Sequence, residues 1–451
     1  MLRGGWVWCI EPSPYIPSLV VTGKMLINKA YCDSSVNFQE RVSRSMKGIS
    51  DSLSILLGPG WLVMLADVDA PSILTAMQSG YYTGLAMVPW LLLLTIPLYF
   101  IQELTIRAAL GSGKGMGTIL REVYGRGVAA VSLIAMLLID GAAYVGEYAA
   151  IAAIGTLFGI PITISVILVL AFHTMVILMG GSYKRIENTL LVISAFILVY
   201  LAAFVIIPIN SHGLYSAITL MTTPNSYTNT WYISLLTANI GAVIMPWMLY
   251  YQQSAIVDKG LRREHYTHER FETVMGAVIS ETLMVAGLLV GYWLRVREGL
   301  VDGFQSALLS INKVFGSYWF ATAAIGMVAA ALLAIFIISL GFAYGLSEYF
   351  GWPTGLSKRL YEAKGFYAFY AIEIIPAALI VLFARELTTL ILNIMIFNSI
   401  ALAIPTYLLI HIVSQRRIVG DYAIGKVRAL ILYVVTTIMV AAGIYAITMI
   451  A

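Results

Sequence analysis

Residues 58–80 read GPGWLVMLADVDAPSILTAMQSG, and the reading of this stretch decides the fold. It is apolar enough for a membrane helix, yet its middle carries Asp67 and Asp69, followed by Pro71 and Ser72. On insertion scales each acid costs roughly 2.5–3.5 kcal/mol at a bilayer centre, so neither belongs on a lipid-facing helix. Pro71 lacks an amide hydrogen and disfavours helical backbone at Ala70, which predicts a break there with carbonyls bared beside the carboxylates. Broken backbone at membrane depth is tolerated only where it lines a protein-enclosed cavity. Carbonyls and carboxylates together suit a hard or borderline cation, so the stretch reads as half of an ion site.

The rest of the chain supports a membrane setting. Of its 451 residues, 60% are hydrophobic and 11% charged, against about 45–50% and about 25% in soluble domains. Eleven candidate spans follow one another, at about 52–80, 84–108, 128–156, 161–181, 188–209, 231–257, 271–294, 316–345, 367–384, 387–412 and 428–450. No soluble domain of ordinary size fits between them, so residues 48–451 read as one transmembrane domain. With the N-terminus inside, and counting from Arg41 on, 20 Lys and Arg fall on inside segments and four outside (Arg295, Arg297, Lys313 and Arg385). That bias predicts a multi-pass cell-membrane protein with a cytoplasmic N-terminus and an extracytoplasmic C-terminus. The net charge of +4 therefore reflects topology and not affinity for nucleic acid. Residues 1–47 read as a disordered tail or as an over-extended start upstream of Met46, and they hold both cysteines, Cys9 and Cys32, without metal-finger spacing.

A second interruption lies in the sixth span, where residues 241–255 read GAVIMPWMLYYQQSA, with Pro246 in the middle. Taken alone, a proline kink is as compatible with no function as with one. The first and sixth spans, however, are corresponding members of two five-helix halves, and paired interruptions of that kind point to a transport site. The halves share no strong residue-level identity, so the repeat is inferred from position.

These residues resemble the NRAMP divalent-metal transporters, from about Leu57 to the end. The likeness rests on GPGWLV with Asp69 and QSG in the first span, QELTIRAALGSGKG at 102–115, LFGIP at 157–161 and AVIMP at 242–246. It implies an all-α membrane protein with the LeuT-type inverted repeat of 5+5 helices plus an eleventh transmembrane helix. The implied function is import of divalent cations (Mn²⁺, Fe²⁺ or Mg²⁺) by alternating access, with the metal as substrate, no cofactor, no enzymatic activity and a monomeric state. Laid over this chain, the metal-binding aspartate falls on Asp69, the asparagine on Ser72, the methionine on Met245 and the sixth-span carbonyl on Ala242. Ala66 and Asp67 complete the expected metal set at the first break. Where the family has histidine, this chain has Trp247.

The departures bear on selectivity. A thioether favours softer metals and an oxygen-only site favours Mg²⁺, Ca²⁺ or Mn²⁺, so Met245 points to Mn²⁺ or Fe²⁺ if its sulfur faces the ion. Ser72 and Trp247 look more like a distant clade associated with Mg²⁺, an ion that sheds water reluctantly. Proton coupling stays open: Asp140 and Glu147 of the third span are the candidate carriers, whereas Trp247 cannot take a proton. Asn398 sits near a family glutamine of the tenth span. Glu281 and Glu373 either line the permeation path or pair with buried donors, the second being the favoured expectation, and His173 is expected to be a satisfied core histidine. The GSGKG run at 111–115 lacks full phosphate-loop spacing and follows a membrane helix, so it reads as a connector.

Two other readings compete. An amino-acid carrier of the same fold would offer a half-helix N-terminus to a substrate carboxylate, which two acids at the break would repel. A membrane-embedded hydrolase could use paired aspartates for acid–base work. No nucleophile with a general base, no His-rich cluster and no extramembrane substrate domain accompanies them.

Overall fold

The structure is a computed structural model of the chain, and it describes residues 57–178, 181–204, 230–383 and 388–450. The tail at 1–47, its cysteines and the first residues of the first span lie outside the described residues. Every described element is helical. In chain order they are α1 (Pro59–Asp67), α2 (Ala70–Thr83), α3 (Val88–Ser112), α4 (Met116–Leu157), α5 (Ile162–Leu178), α6 (Tyr183–Phe204), α7 (Thr230–Val243), α8 (Pro246–Asp258) and α9 (Tyr266–Val296). There follow α10 (Phe304–Phe315), α11 (Ser317–Phe350), α12 (Lys364–Ile372), α13 (Ile374–Phe383), α14 (Thr388–Ala401), α15 (Ala403–Val413), α16 (Arg416–Val419) and α17 (Lys426–Ile450). Each of the eleven expected spans falls on one of these helices or on a consecutive pair. By length and apolarity, eight of the resulting helices can each cross a bilayer, and the bent pair α1–α2 makes a ninth.

Both expected breaks are present, and each begins a new helix with proline in its first turn. The first span bends by 48° between α1 and α2. The break falls at Val68 and Asp69, slightly earlier than Ala70, because Asp69 caps α2 and Pro71 sits in its first turn. Proline is at home there, since first-turn amides have no intrahelical acceptor to lose. The sixth span breaks at Ile244 and Met245, with Pro246 opening α8. Residues of these two spans are almost all buried, whereas α5, α13 and α17 expose large apolar side chains such as Leu168, Phe383 and Val427. That contrast places the broken spans at the centre and the others toward lipid.

At one end of the bundle the buried Glu103 of α3 accepts from Arg107 at 2.7 Å, from the Tyr266 hydroxyl at 2.7 Å and from Arg428 at 2.6 Å. All four belong to segments expected inside, and Glu103 ties α3, α9 and α17 together. At the other end Tyr82 stacks on Trp231, and Gln305 of α10 donates to Thr156. The helix α10 lies between two of the expected spans, 271–294 and 316–345. Its Phe304, Ala307, Leu308 and Ile311 are buried at helical spacing, which makes it an amphipathic helix against the bundle end.

Close helix approach depends on missing side chains. A Cβ at Gly80 of α2 would strike the Leu288 carbonyl of α9, and one at Gly241 of α7 would strike the Met395 carbonyl of α14. Membrane helices pack backbone to backbone through such small residues. Gly80→Ala is expected to destabilise the protein by about 1–3 kcal/mol, the usual range for overpacking. This would be read as a lowered thermal midpoint in detergent; a midpoint equal to wild type would refute the close α2–α9 approach.

Candidate metal centre

Asp69 caps α2 with extended backbone, and its Oδ1 accepts the amide hydrogen of Ser72 at 2.7 Å. An aspartate here satisfies one of the amides that a helix start leaves unpaired, and its charge complements the positive end of the helix dipole. The amide of Ala70 donates to Glu147 Oε2 of α4 at 3.3 Å. Two carboxylates from different helices therefore meet at the first turn of α2. Asp69 Oδ2, Ser72 Oγ and Glu147 Oε1 stay buried without a hydrogen-bond partner. Native interiors rarely leave buried polar atoms in that state, and a bound cation is one way to satisfy them. Opposite, the last four carbonyls of α1, Ala66 among them, have no intrahelical acceptor role to fill.

The second break brings the same kinds of group together. Met245 caps α8, and the last carbonyls of α7 include Gly241 and Ala242. The absence of a side chain at Gly241 lets α14 approach, and Asn398 of α14 donates its side-chain amide to the Gly241 carbonyl. Asn398 Oδ1 is left without a partner beside Ala242. The indole Nε1 of Trp247 donates to Met245 Sδ at 3.2 Å, and the Met245 amide donates to Met248 Sδ at 3.3 Å. The backbone amide of Trp247 faces Asp140 of α4. Asp140 and Glu147 are two helical turns apart, so one face of α4 presents a carboxyl to the start of each half-helix. Asp69, Ser72, Ala242 and Met245 are all 0–1% exposed, so the centre is closed to solvent.

Asp67 turns elsewhere. Its Oδ2 accepts the Ser280 hydroxyl of α9 at 3.2 Å, with Glu281 alongside. The expectation that Glu281 and Glu373 pair with buried donors is corrected: neither oxygen of either residue has a hydrogen-bond partner. Both lie among apolar surfaces and other acids, Glu281 by Asp67 and Glu373 by Asp140. His173 is a buried core histidine, bonded through Nε2 to Ser339 Oγ at 3.1 Å and stacked on Tyr370, but its Nδ1 has no partner, so it is only half satisfied and not fully so as expected. The GSGKG connector offers no anion cradle, because Glu348 already accepts the Gly117 amide at 2.8 Å. Among the described residues no group of three or more His, Cys, Asp or Glu is arranged to hold a metal. A centre here therefore relies on fewer than three such groups, together with carbonyls and neutral donors.

Some relevant residues escaped the sequence reading. The Gly58 amide at the start of the first span donates to Glu272 Oε2 at 2.8 Å, and Lys259 Nζ lies 2.8 Å from Glu187 Oε1. These bonds fasten one end of the first span and of α8 to α9 and α6. The signal available was the run of acids Glu269, Glu272 and Glu281 within one apolar helix. Ser79 of α2 accepts from Asn239 of α7 at 2.7 Å, a contact that no local pattern announces.

A family model described as natural resistance-associated macrophage protein-like (Nramp) matches residues 60–449. The divalent metal cation transporter MntH of Staphylococcus aureus strain Mu3 is 25% identical over 261 residues, 56% of this chain and 55% of that protein. The same transporter from strain JH9 is 24% identical over the same share. The chain thus spans about half the length of the curated relatives it matches. Among solved structures, the Eremococcus coleocola manganese transporter with an aromatic bis-isothiourea compound superposes with a TM-score of 0.70 at 16% identity, covering 88% of this chain and 87% of that one. A point variant of that transporter gives 0.69 at 15% identity, covering 88% and 86%. At such identities the likeness shows the fold, in agreement with the all-α arrangement expected from the sequence.

The Glu147–Ala70 bond gives a direct test. Glu147→Gln keeps an acceptor for the Ala70 amide, and Glu147→Leu removes it. Leaving that buried amide unpaired costs about 1–3 kcal/mol, so the Leu variant is expected to lose thermal stability in detergent and the Gln variant to stay near wild type. Equal midpoints for the two variants would show that the bond does not hold α2 to α4.

Proposed function

This chain belongs to the natural resistance-associated macrophage protein-like family, and from that premise we propose that it imports divalent cations across the cell membrane by alternating access. The observation that carries the reading is the first break, where Asp69 and Ser72 each keep a buried oxygen without a partner. In this reading Asp69 supplies the charge, Ser72 and the carbonyls of Ala66 and Ala242 supply neutral oxygens, and Met245 is the one soft group of the set, its sulfur bonded to the Trp247 indole. Asp67 adds a second negative charge one residue before the break. The broken spans α1–α2 and α7–α8 rock against a scaffold that includes α4, α5, α11 and the ninth span. The relatives' names, a divalent metal cation transporter and a manganese transporter, support the substrate class. Mn²⁺ or Fe²⁺ fits a site that uses the sulfur, and Mg²⁺ one that does not.

Orientation follows the basic residues, with the N-terminus cytoplasmic and the C-terminus outside. The protein works as a monomer in this reading. Asp140 and Glu147 are the carriers should protons move with the metal, since each faces the start of one half-helix and Trp247 has no titratable group. An amino-acid carrier is disfavoured, because the positive end of α2 already faces Asp69 and Glu147, which would repel a substrate carboxylate.

In proteoliposomes loaded with a metal-sensitive dye, Mn²⁺ or Mg²⁺ influx is expected, and Asp69→Ala should abolish it; undiminished influx in that variant would sink the site assignment. Coupling is read from luminal pH in the same vesicles. Acidification during metal influx that disappears in Glu147→Gln would assign the proton route, and a lumen that stays at constant pH would exclude proton symport.

A further inference from the structure

We propose that Trp247 is a positioning residue for selectivity: its indole N–H engages the thioether of Met245 and withholds that sulfur from the ion, leaving a centre dominated by oxygen. The inference rests on the metal-site reading above and goes beyond it by naming what sets the metal class.

Met245 sits at the cap of α8, where its side chain can reach the break, and Trp247 follows two residues later in the first turn. Indole Nε1 lies 3.2 Å from Met245 Sδ, and both residues are fully buried. An indole has one donor and no acceptor, so at this depth the sulfur is what satisfies it. Trp247 is also packed against its neighbours. A Cβ at Gly341 of α11 would lie 3.1 Å from the Trp247 carbonyl and 3.3 Å from its Cβ, so the start of α8 rests directly on α11. The second thioether near the break is likewise engaged, since Met248 Sδ accepts the Met245 amide. Neither sulfur is idle.

A thioether is a weak hydrogen-bond acceptor and a soft ligand; the indole N–H occupies one of the two lone pairs of Met245 Sδ, draws electron density from the sulfur and fixes its orientation. A soft ion that turns Met245 toward itself must compete with the indole bond and leave a buried N–H unpaired. Mg²⁺ gains nothing from sulfur and is untouched by this competition. The indole therefore reduces the preference for soft over hard ions that a methionine at this position would otherwise confer.

The test uses full-length protein with Cys9 and Cys32 changed to serine in every sample, so that the remaining sulfur is thioether. Cd²⁺ and Mg²⁺ binding are measured by calorimetry for wild type, Trp247→Phe, Trp247→Tyr, Asp69→Ala and the pair Trp247→Phe with Met245→Ala. Removing the indole N–H is expected to raise Cd²⁺ affinity about 3–10-fold, the worth of one hydrogen bond. Mg²⁺ affinity should stay constant, and the gain should vanish in the double variant. Absorption at the cadmium K-edge gives a readout that does not depend on how well a variant folds: wild type should show an oxygen shell alone, and Trp247→Phe should add a Cd–S shell. A Cd–S shell already present in wild type, or a Cd²⁺ to Mg²⁺ ratio unchanged in both Trp247 variants, would overturn the proposal. Retention of Cd²⁺ binding by Asp69→Ala would instead overturn the underlying site assignment.

Discussion

The structure depends on how the backbone is satisfied where two helices stop at membrane depth. No water reaches the centre of a bilayer to bond freed amides and carbonyls, so each interruption must be met by other parts of the protein. At the first break Asp69 and Glu147 take the opening amides of α2. At the second, Asn398 takes the Gly241 carbonyl and Met248 takes the Met245 amide. The surrounding helices are placed to make those bonds. Backbone contacts at Gly80 and Gly241 bring α9 and α14 against the broken spans, and the spacing of Asp140 and Glu147 lets a single helix, α4, serve both breaks. What remains unpaired after this accounting is a small set of buried oxygens, those of Asp69, Ser72 and Glu147 among them.

The breaks themselves were legible because proline and buried acid are incompatible with an ordinary lipid-facing helix. Their placement was less so. Pro71 reads as the point where helix fails, yet in the structure it lies in a first turn that Asp69 caps. The capping bond from Ser72 decides where the helix starts, and a pattern centred on proline misses that by a residue or two. The Glu103 hub shows why QELTIR belongs with the fold: its glutamate collects three arginines and a tyrosine from helices far apart in sequence.

What could not be read depends on contacts between distant segments. Asn398 stands out in a sequence only as a polar residue on an apolar helix, and its role emerges once Gly241 lets α14 come close. The bonds from Gly58 to Glu272 and from Lys259 to Glu187 join residues that no local period relates. Glu281 and Glu373 show the opposite failure. A buried acid is ordinarily assumed to have found a donor, and here the neighbours of each include another acid instead.

Asp67 and Asp69 illustrate how much the break separates neighbours in sequence. Two acids two residues apart would lie on different faces of an intact helix, already about 200° apart by its period. With a bend of 48° between the two half-helices the acids turn to different neighbours. Asp67 closes α1 and bonds to α9, while Asp69 opens α2 and meets α4. The pair is therefore not a double ligand by construction. One carboxylate is held at the start of a helix whose dipole already favours negative charge, and the other sits at the end of a helix, where the dipole opposes it. A cation between the two half-helices would relieve both at once, by adding positive charge where the α1 carbonyls and Asp67 concentrate negative charge and by pairing the free oxygen of Asp69. The same broken geometry that bares the backbone thus makes the two acids unequal.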